Sequence, residues 1–329
     1  MISVIIPVFN GDHYISDCLS AVFNQQTKES YEVIVVDDGS TDRTAKIVGH
    51  FPVRYYYKKN GGPASARNLG LQHARGEIIV FLDADCQPIP TFFEVAIKNL
   101  ARKDIDALKG FYRTKQTEPI ALFAQAEYEY KYRRLLRFPT IDFVDTYAAV
   151  YRKEVLINEH GFDELFSMAS GEDIELSYRL QSHGYKLKAL PDLIVYHSHP
   201  DTLLKYFRRK YWVGFWRVWL YSKHPSKMSR DSHTPPGLKY ELGALLLSLV
   251  ALLSGLIIPV SLFGCLGFFL IYCLVSTPFY LHCLRFNPTL RNRVARYILL
   301  RDIALLLGYL TGCLRWITQI FQKKARKVH

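Results

Sequence analysis

From Leu242 to Leu281 the chain carries no Asp, Glu, Lys or Arg, an uncharged run of 40 residues. Helices of soluble domains usually run 8 to 20 residues, and about 20 apolar residues cross the hydrocarbon of a bilayer. The run is therefore long enough for two crossings, about 242–260 and 262–283, with Pro259 to Ser261 as the turn. A third apolar segment, 303–321, is interrupted by Arg315. Arg285, Arg291, Arg293, Arg296 and Arg301 crowd the connection before it, and Lys323, Lys324, Arg326 and Lys327 follow it. Positive residues stay on the cytoplasmic side, so both clusters belong on one side, and a third full crossing would separate them. The expectation is two spans plus an interfacial or re-entrant third segment.

Charge follows the same division. Residues 201–329 hold 19 Lys and Arg against 4 Asp and Glu, whereas residues 1–200 hold 23 against 26, so the net charge of +12 belongs to the C-terminal region. Basic residues that flank apolar runs point to a membrane surface and away from nucleic acid. Leu203 to Tyr221 interleaves aromatics with Lys and Arg, the composition of a helix lying in a membrane interface. Ser222 to Lys239, with Pro225, Pro235 and Pro236, reads as a linker. Three regions result: 1–200, an interfacial helix and linker over 201–240, and a transmembrane region over 241–329. Met1 to Pro7 lacks a basic leader and a cleavage site and reads as a strand. The six cysteines show no Cys-x-x-Cys spacing and read as buried thiols of a reducing compartment, neither disulfides nor zinc ligands.

In the first 200 residues short apolar runs, Ile2 to Val8, Val33 to Val36, Arg54 to Tyr57 and Ile78 to Leu82, alternate with helix-like segments at His13 to Gln25, Thr41 to His50 and Pro63 to Ala74. Strands without strict polar alternation, separated by amphipathic helices, predict an α/β fold with a mostly parallel sheet covered on both faces. Ligands of such sheets bind beyond the carboxyl ends of the strands. Those ends carry Asn10, then Asp37-Asp38-Gly39-Ser40, then Asp83 and Asp85. Two carboxylates at the tip of a buried strand call for a metal, a basic partner or water. The tandem Asp37-Asp38 serves either a turn and helix cap or an acceptor for a uracil-like imide or a ribose hydroxyl. Asn60-Gly61-Gly62-Pro63-Ala64-Ser65-Ala66-Arg67-Asn68 runs from a glycine turn into a helix start, an arrangement suited to a diphosphate. It matches neither Gly-x-Gly-x-x-Gly nor a phosphate loop ending Gly-Lys-Ser/Thr, which disfavours a nicotinamide or ATP enzyme.

Pro7-Val8-Phe9-Asn10, Val35-Val36-Asp37-Asp38-Gly39-Ser40-Thr41-Asp42, Gly62-Pro63-Ala64 with Ala66-Arg67-Asn68, and Leu82-Asp83-Ala84-Asp85, in this order, resemble glycosyltransferase family 2, the inverting enzymes of the GT-A fold. The resemblance covers roughly residues 1–200 and implies a GT-A nucleotide-sugar-binding domain ahead of the transmembrane region. It implies Pro7, Asp37, Asp38, Arg67 and Asp83 at the donor, with Asp37 and Asp38 against the nucleoside and Arg67 near the diphosphate. Asp83 and Asp85 are implied at the metal and ribose. A hard cation, Mg²⁺ or Mn²⁺, is typically held by one or two carboxylates plus phosphate oxygens.

Ser170-Gly171-Glu172-Asp173 opens a helix that resembles the family's acceptor side, where the Asp is the general base. That assigns Asp173 as the base and Glu172 as its supporting partner, against simple capping of a helix dipole. His197 and His199 follow a strand-like run, and His197 is the third expected metal ligand. Pro119 to Arg137 reads as a Tyr- and Arg-rich helix, either solvated or bordering the acceptor cleft or the membrane. Processive relatives carry Gln-x-x-Arg-Trp where this chain has Arg208-Arg209-Lys210-Tyr211-Trp212, which speaks against polymerisation. The expected protein is an integral membrane glycosyltransferase of a prokaryotic plasma membrane with its catalytic domain in the cytoplasm. It would take a nucleotide-diphosphate sugar and pass the sugar to a hydroxyl of a glycan or lipid-linked acceptor. The rivals are a polyprenyl-phosphate sugar synthase and an inactive membrane scaffold of the same fold.

Overall fold

The computed structural model describes residues 1–102, 104–165, 171–228, 232 and 234–325, with side chains as far as residue 318. Ser170, Arg326 and Lys327, quoted above, lie outside the described residues. The chain forms two compact units, residues 1–115 with 135–198, and residues 116–134 with 199–329.

In the first unit β1 (Ile2–Val8), α1 (Ile15–Phe23), β2 (Tyr31–Asp37), α2 (Thr44–Val48), β3 (Arg54–Tyr57), α3 (Pro63–His73) and β4 (Ile78–Leu82) succeed one another as the alternating pattern predicts. There follow β5 (Cys86–Pro88), α4 (Phe92–Leu100) and β6 (Ala107–Arg113). After α5 (Pro119–Leu135), which packs in the second unit, come β7 (Ala148–Arg152), α6 (Lys153–Asn158), α7 (Glu172–Ser182) and β8 (Leu187–His197). The eight strands form one sheet in the order β3-β2-β1-β4-β7-β6-β8-β5. Four of its seven neighbouring pairs are parallel, including every pair within β3-β2-β1-β4. β4 and β7 pair antiparallel, as do β6 with β7 and β5 with β8. The chain winds outward from β1 through β2 to β3 and then returns to the other side of β1. Beyond the carboxyl ends of β1 and β4 this reversal leaves the crevice in which ligands of open α/β sheets bind.

Two helices are shorter at their start than the apolar pattern suggests. α2 begins at Thr44, not Thr41, because Asp42 stays outside and caps it, its Oδ1 accepting the Thr44 N–H at 3.0 Å and its Oδ2 the Asp12 N–H at 3.1 Å. α1 begins at Ile15, after a turn in which the Ile15 N–H bonds the Gly11 carbonyl. α3 lies hard against the sheet: a Cβ on Gly70 would come within 2.4 Å of Ile5 Cγ2. Ala64, Ala66 and Gly70, small and buried on this helix, serve the close packing, and the close packing sets where Arg67 stands.

The second unit joins α5 to α8 (Leu203–Lys223), α9 (Pro236–Ser254), α10 (Ser261–Phe286) and α11 (Val294–Ala325). α5 is not a solvated helix: Ile120, Phe123, Ala124 and Ala126 are buried, and the Phe123 ring meets Tyr206, Phe279 and Tyr297 at centroid distances of 5.8, 5.8 and 5.3 Å. This apolar face draws residues 116–134, assigned above to the first region, into the helical unit. Among the described residues three helical segments, Pro236–Ser254, Ser261–Phe286 and Val294–Thr318, are long and apolar enough to cross a membrane. They do not pair alike. α9 and α10 form a hairpin with outward apolar faces, Leu253, Phe263 and Leu274 being 66, 79 and 73% exposed. α11 instead runs along α8, where a Cβ on Gly308 would stand 2.1 Å from the Tyr211 carbonyl oxygen and one on Gly312 2.7 Å from that of Phe215. Only glycine permits backbones so close.

Candidate active site

A cavity of about 460 Å³ opens at the carboxyl ends of β1 and β4, within the size range of small-molecule sites. Pro7, Asp38, Gly62, Arg67, Asp83 and Asp85 line it. Residues from all four motifs thus meet in one place, drawn from separate strand ends by the sheet topology.

The tandem acids divide the labour. Asp38 lines the cavity and fastens the glycine turn: Oδ1 accepts from Lys58 Nζ at 2.7 Å and from the Gly61 N–H at 2.9 Å, and Oδ2 from the Gly62 N–H at 2.7 Å. Asp37 does not line the cavity. It is fully buried, accepting the Ser40 N–H and the Tyr55 hydroxyl, each at 2.7 Å. Adjacent residues at a strand end point to opposite sides, so only one of the pair can face the crevice. Gly39, at φ +86°, makes the intervening turn, where a Cβ would also stand 2.9 Å from the Asn60 nitrogen. Asn10, itself at φ +49°, ties this turn to the end of β1 by accepting the Thr41 N–H at 2.9 Å.

Arg67 is 3% exposed and bridges two carboxylates, donating from Nη1 to Glu172 Oε1 at 2.7 Å and from Nη2 to Asp83 Oδ1 at 2.9 Å. Its Nε–H has no acceptor among the described residues. Glu172 thus accepts from Arg67 one residue from Asp173, on whose carboxyl its own charge acts. Asn68 holds the shelf beneath, exchanging hydrogen bonds of 2.9 and 2.8 Å with the Phe162 backbone, and the Phe162 ring lies 5.7 Å under the guanidinium.

Asp85 and His197 come together, His197 Nε2 standing 3.3 Å from Asp85 Oδ2. The antiparallel pairing of β5 with β8 sets Cys86 opposite His197 and so fixes this meeting. Donor atoms of Asp85, Cys86 and His197 lie within 4.8 Å of one another. A carboxylate oxygen and an imidazole nitrogen suit a divalent cation that keeps further oxygen ligands. The soft Cys86 sulfur suits such an ion poorly, and its thiol lies 3.6 Å from Asp85 Oδ1 as a donor. Asp83, the other expected metal ligand, is drawn to Arg67.

At the start of α7, burial first and the neighbouring Glu172 second push the Asp173 carboxyl up to about 7, against the pull of Arg67. A carboxylate so raised is a competent proton acceptor near neutral pH. His199 is not at this site; in the helical unit its Nε2 lies 2.8 Å from Gln125 Oε1.

Three contributors were not singled out from the sequence. Phe9, 49% exposed, and Tyr14 present aromatic surface to the cavity beside Asp38. Lys109, 1% exposed in mid-strand and ion-paired with Asp145, does not line the cavity but lends positive charge that acts on Asp173. Phe9 sat within a quoted motif, whereas a lone Lys in an apolar strand carries no spacing signal.

The family described as Glycosyl transferase family 2 matches residues 3–158. Glycosyltransferase AglE of Haloferax volcanii is 30% identical over 220 residues, covering 63% of this chain and 71% of that one. The chain belongs to glycosyl transferase family 2. It is a glycosyltransferase of mixed α/β, GT-A architecture. The pre-mycofactocin glycosyltransferase of Mycobacterium tuberculosis is 27% identical over 238 residues, 69% of this chain but 48% of its own length. The mannosyltransferase PcManGT of Pyrobaculum calidifontis, solved with GDP-Man and Mn²⁺, superposes with a TM-score of 0.58 at 22% identity, over 94% of this chain and 86% of its own.

Proposed function

We propose that this glycosyltransferase moves a sugar, with inversion, from a nucleotide-diphosphate donor to a hydroxyl of a membrane-delivered glycan or lipid-linked acceptor. The observation that carries the reading is the linkage of donor cavity and base through one side chain: Arg67 lines the cavity and binds Glu172, the residue preceding Asp173. Phe9 and Tyr14 offer faces to a nucleobase next to Asp38, and Asp83 faces the ribose. Pro7 borders the same pocket. Arg67 sets positive charge beside the diphosphate. Asp85 and His197 would hold Mg²⁺ or Mn²⁺, with the imidazole favouring Mn²⁺. Such an ion neutralises charge on the leaving diphosphate. Asp173 takes the proton of the acceptor hydroxyl as that oxygen attacks the anomeric carbon from the face opposite the leaving group. A group held near 7 suits a hydroxyl acceptor, and a phosphate acceptor needs no such base, which favours this reading over a polyprenyl-phosphate sugar synthase.

In the membrane the α9–α10 hairpin makes the two spans. α11 lies with α8, whose Arg208, Arg209, Lys210 and Arg217 would have to enter hydrocarbon alongside a spanning α11, so the pair lies at the interface. The catalytic unit faces the cytoplasm of a prokaryotic cell, on the side of the basic clusters. The test is a panel of radiolabelled nucleotide sugars with membranes containing the full chain and Mn²⁺, the product's anomeric configuration being read by NMR. An inverted linkage is expected; a retained anomer overturns the direct displacement.

A further inference from the structure

A second cavity, about 270 Å³, lies wholly within the helical unit and owes nothing to the catalytic reading. Glu127, Tyr130 and Lys131 of α5, the first turns of α9, the C-terminal half of α10 and Arg301 of α11 line it. It therefore sits where α9 begins, α10 ends and α11 begins, at one end of the apolar helices. Its floor is apolar, from Leu238, Val275, Pro278 and Phe279. Its rim is ionic and mostly self-satisfied. Glu127 Oε2 lies 2.8 Å from Lys210 Nζ, and Arg301 binds Glu241 and Asp302, with Asp302 Oδ1 at 2.7 Å.

Lys131 is the exception. Among the described residues its ammonium has no hydrogen-bond acceptor and lies 5.5 Å from the centre of the Tyr128 ring. The largest charges acting on it are Lys210, then Glu127, then Arg217 and Arg209, three cations against one carboxylate, while the Glu241 carboxylate that also lines the cavity is paired with Arg301. Burial and then Lys210 accordingly push Lys131 down to about 7. A half-buried ammonium with an excess of like charge around it and no acceptor is the complement of an anion.

We propose that this cavity binds the headgroup of a membrane lipid whose phosphate carries net negative charge, with Lys131 as its counter-ion and the apolar floor receiving the first part of the chain. The lipid is favoured over a free anion by the floor, and by the outward apolar faces of α9 and α10 along which an acyl or prenyl chain can continue.

The test uses the full-length protein in detergent micelles, titrated with short-chain phosphatidylglycerol, phosphatidylcholine or inorganic phosphate and followed by native mass spectrometry. Phosphatidylglycerol is expected to be retained; Lys131→Gln should lower that retention about tenfold or more, the loss of one charged hydrogen bond. Lys131→Arg should restore it, and both variants should melt within a few degrees of the parent. Equal retention by the parent and Lys131→Gln overturns the site. Should Lys131→Gln fail to fold, failure of phosphatidylglycerol to outcompete phosphatidylcholine on the parent overturns it equally. Inorganic phosphate that binds as well as the lipid, and displaces it, would make this a soluble-anion site and overturn the lipid assignment.

Discussion

Asp173 is where function and stability pull against each other. Its carboxyl titrates at about 7 in the folded chain against an ordinary 3.8, so the folded state holds the proton more tightly than the unfolded one. Stability therefore falls as pH rises from 3.8 to about 7, and the ionised carboxylate is a net cost above that interval. Asp173→Asn removes the cost: at pH 8 it should stabilise the fold by on the order of 1 to 3 kcal/mol, a gain that vanishes at pH 4. Turnover should fall by a factor on the order of 10² to 10⁴ while donor affinity persists. With Asp173 as the proposed base, kcat in the parent should decline on the acid side with a midpoint near 7, because protonation blocks proton acceptance. Denaturant melts at the two pH values and a kcat–pH profile measure both; an unchanged profile in the variant would transfer the role elsewhere.

The metal and the arginine also belong to this scale. Asp85→Ala and chelation with EDTA should each abolish transfer and leave the circular dichroism spectrum intact; turnover in EDTA would remove the metal from the chemistry. Arg67 makes a different claim. Its loss strands Glu172 and part-buried Asp83, so Arg67→Ala should cost about 3 to 5 kcal/mol of stability as well as donor affinity. A variant that bound donor weakly but melted like the parent would make Arg67 a ligand contact with no structural share.

Among the elements, the pair α8 and α11 depends on two glycines one helical turn apart. A side chain at Gly308 would meet the Tyr211 carbonyl oxygen, and no rotamer of α8 relieves a clash with backbone. Gly308→Leu should therefore separate the pair, seen as proteolysis within α8 of the purified full chain, whereas Gly267→Leu on α10, with open space around it, should not. Resistance of Gly308→Leu to proteolysis would show that the helices can slide to accommodate it. The Gly308-x-x-x-Gly312 spacing is present in the sequence, inside an apolar segment whose signals of length and flanking charge say nothing about a partner helix.

For the molecule as a whole, sidedness turns on whether α11 crosses the bilayer. If α8 holds it at the interface, cysteines placed by Asn287→Cys and His329→Cys should be protected together from a membrane-impermeant maleimide in intact cells, against the parent's own thiols as background. Labelling of His329→Cys alone would make α11 a third span.

The alternation of apolar runs with helical segments determined an α/β sheet, because a strand covered on both faces must be apolar along its whole length. The 40 uncharged residues determined membrane-competent helices, because charge within hydrocarbon is so costly. Four motifs in order determined the family. The pairing pattern decided the rest. β5 against β8 brought Asp85 to His197 across more than 100 residues, and the approach of α7 to α3 set Glu172 against Arg67, contacts that no local spacing encodes. Which of Asp37 and Asp38 faces the cavity was likewise undecided until the sheet set their sides. Residues 116–134 left the catalytic region for the same reason: an apolar face goes wherever a complementary surface lies, and that surface was folded from residues about 80 to 180 positions further along the chain.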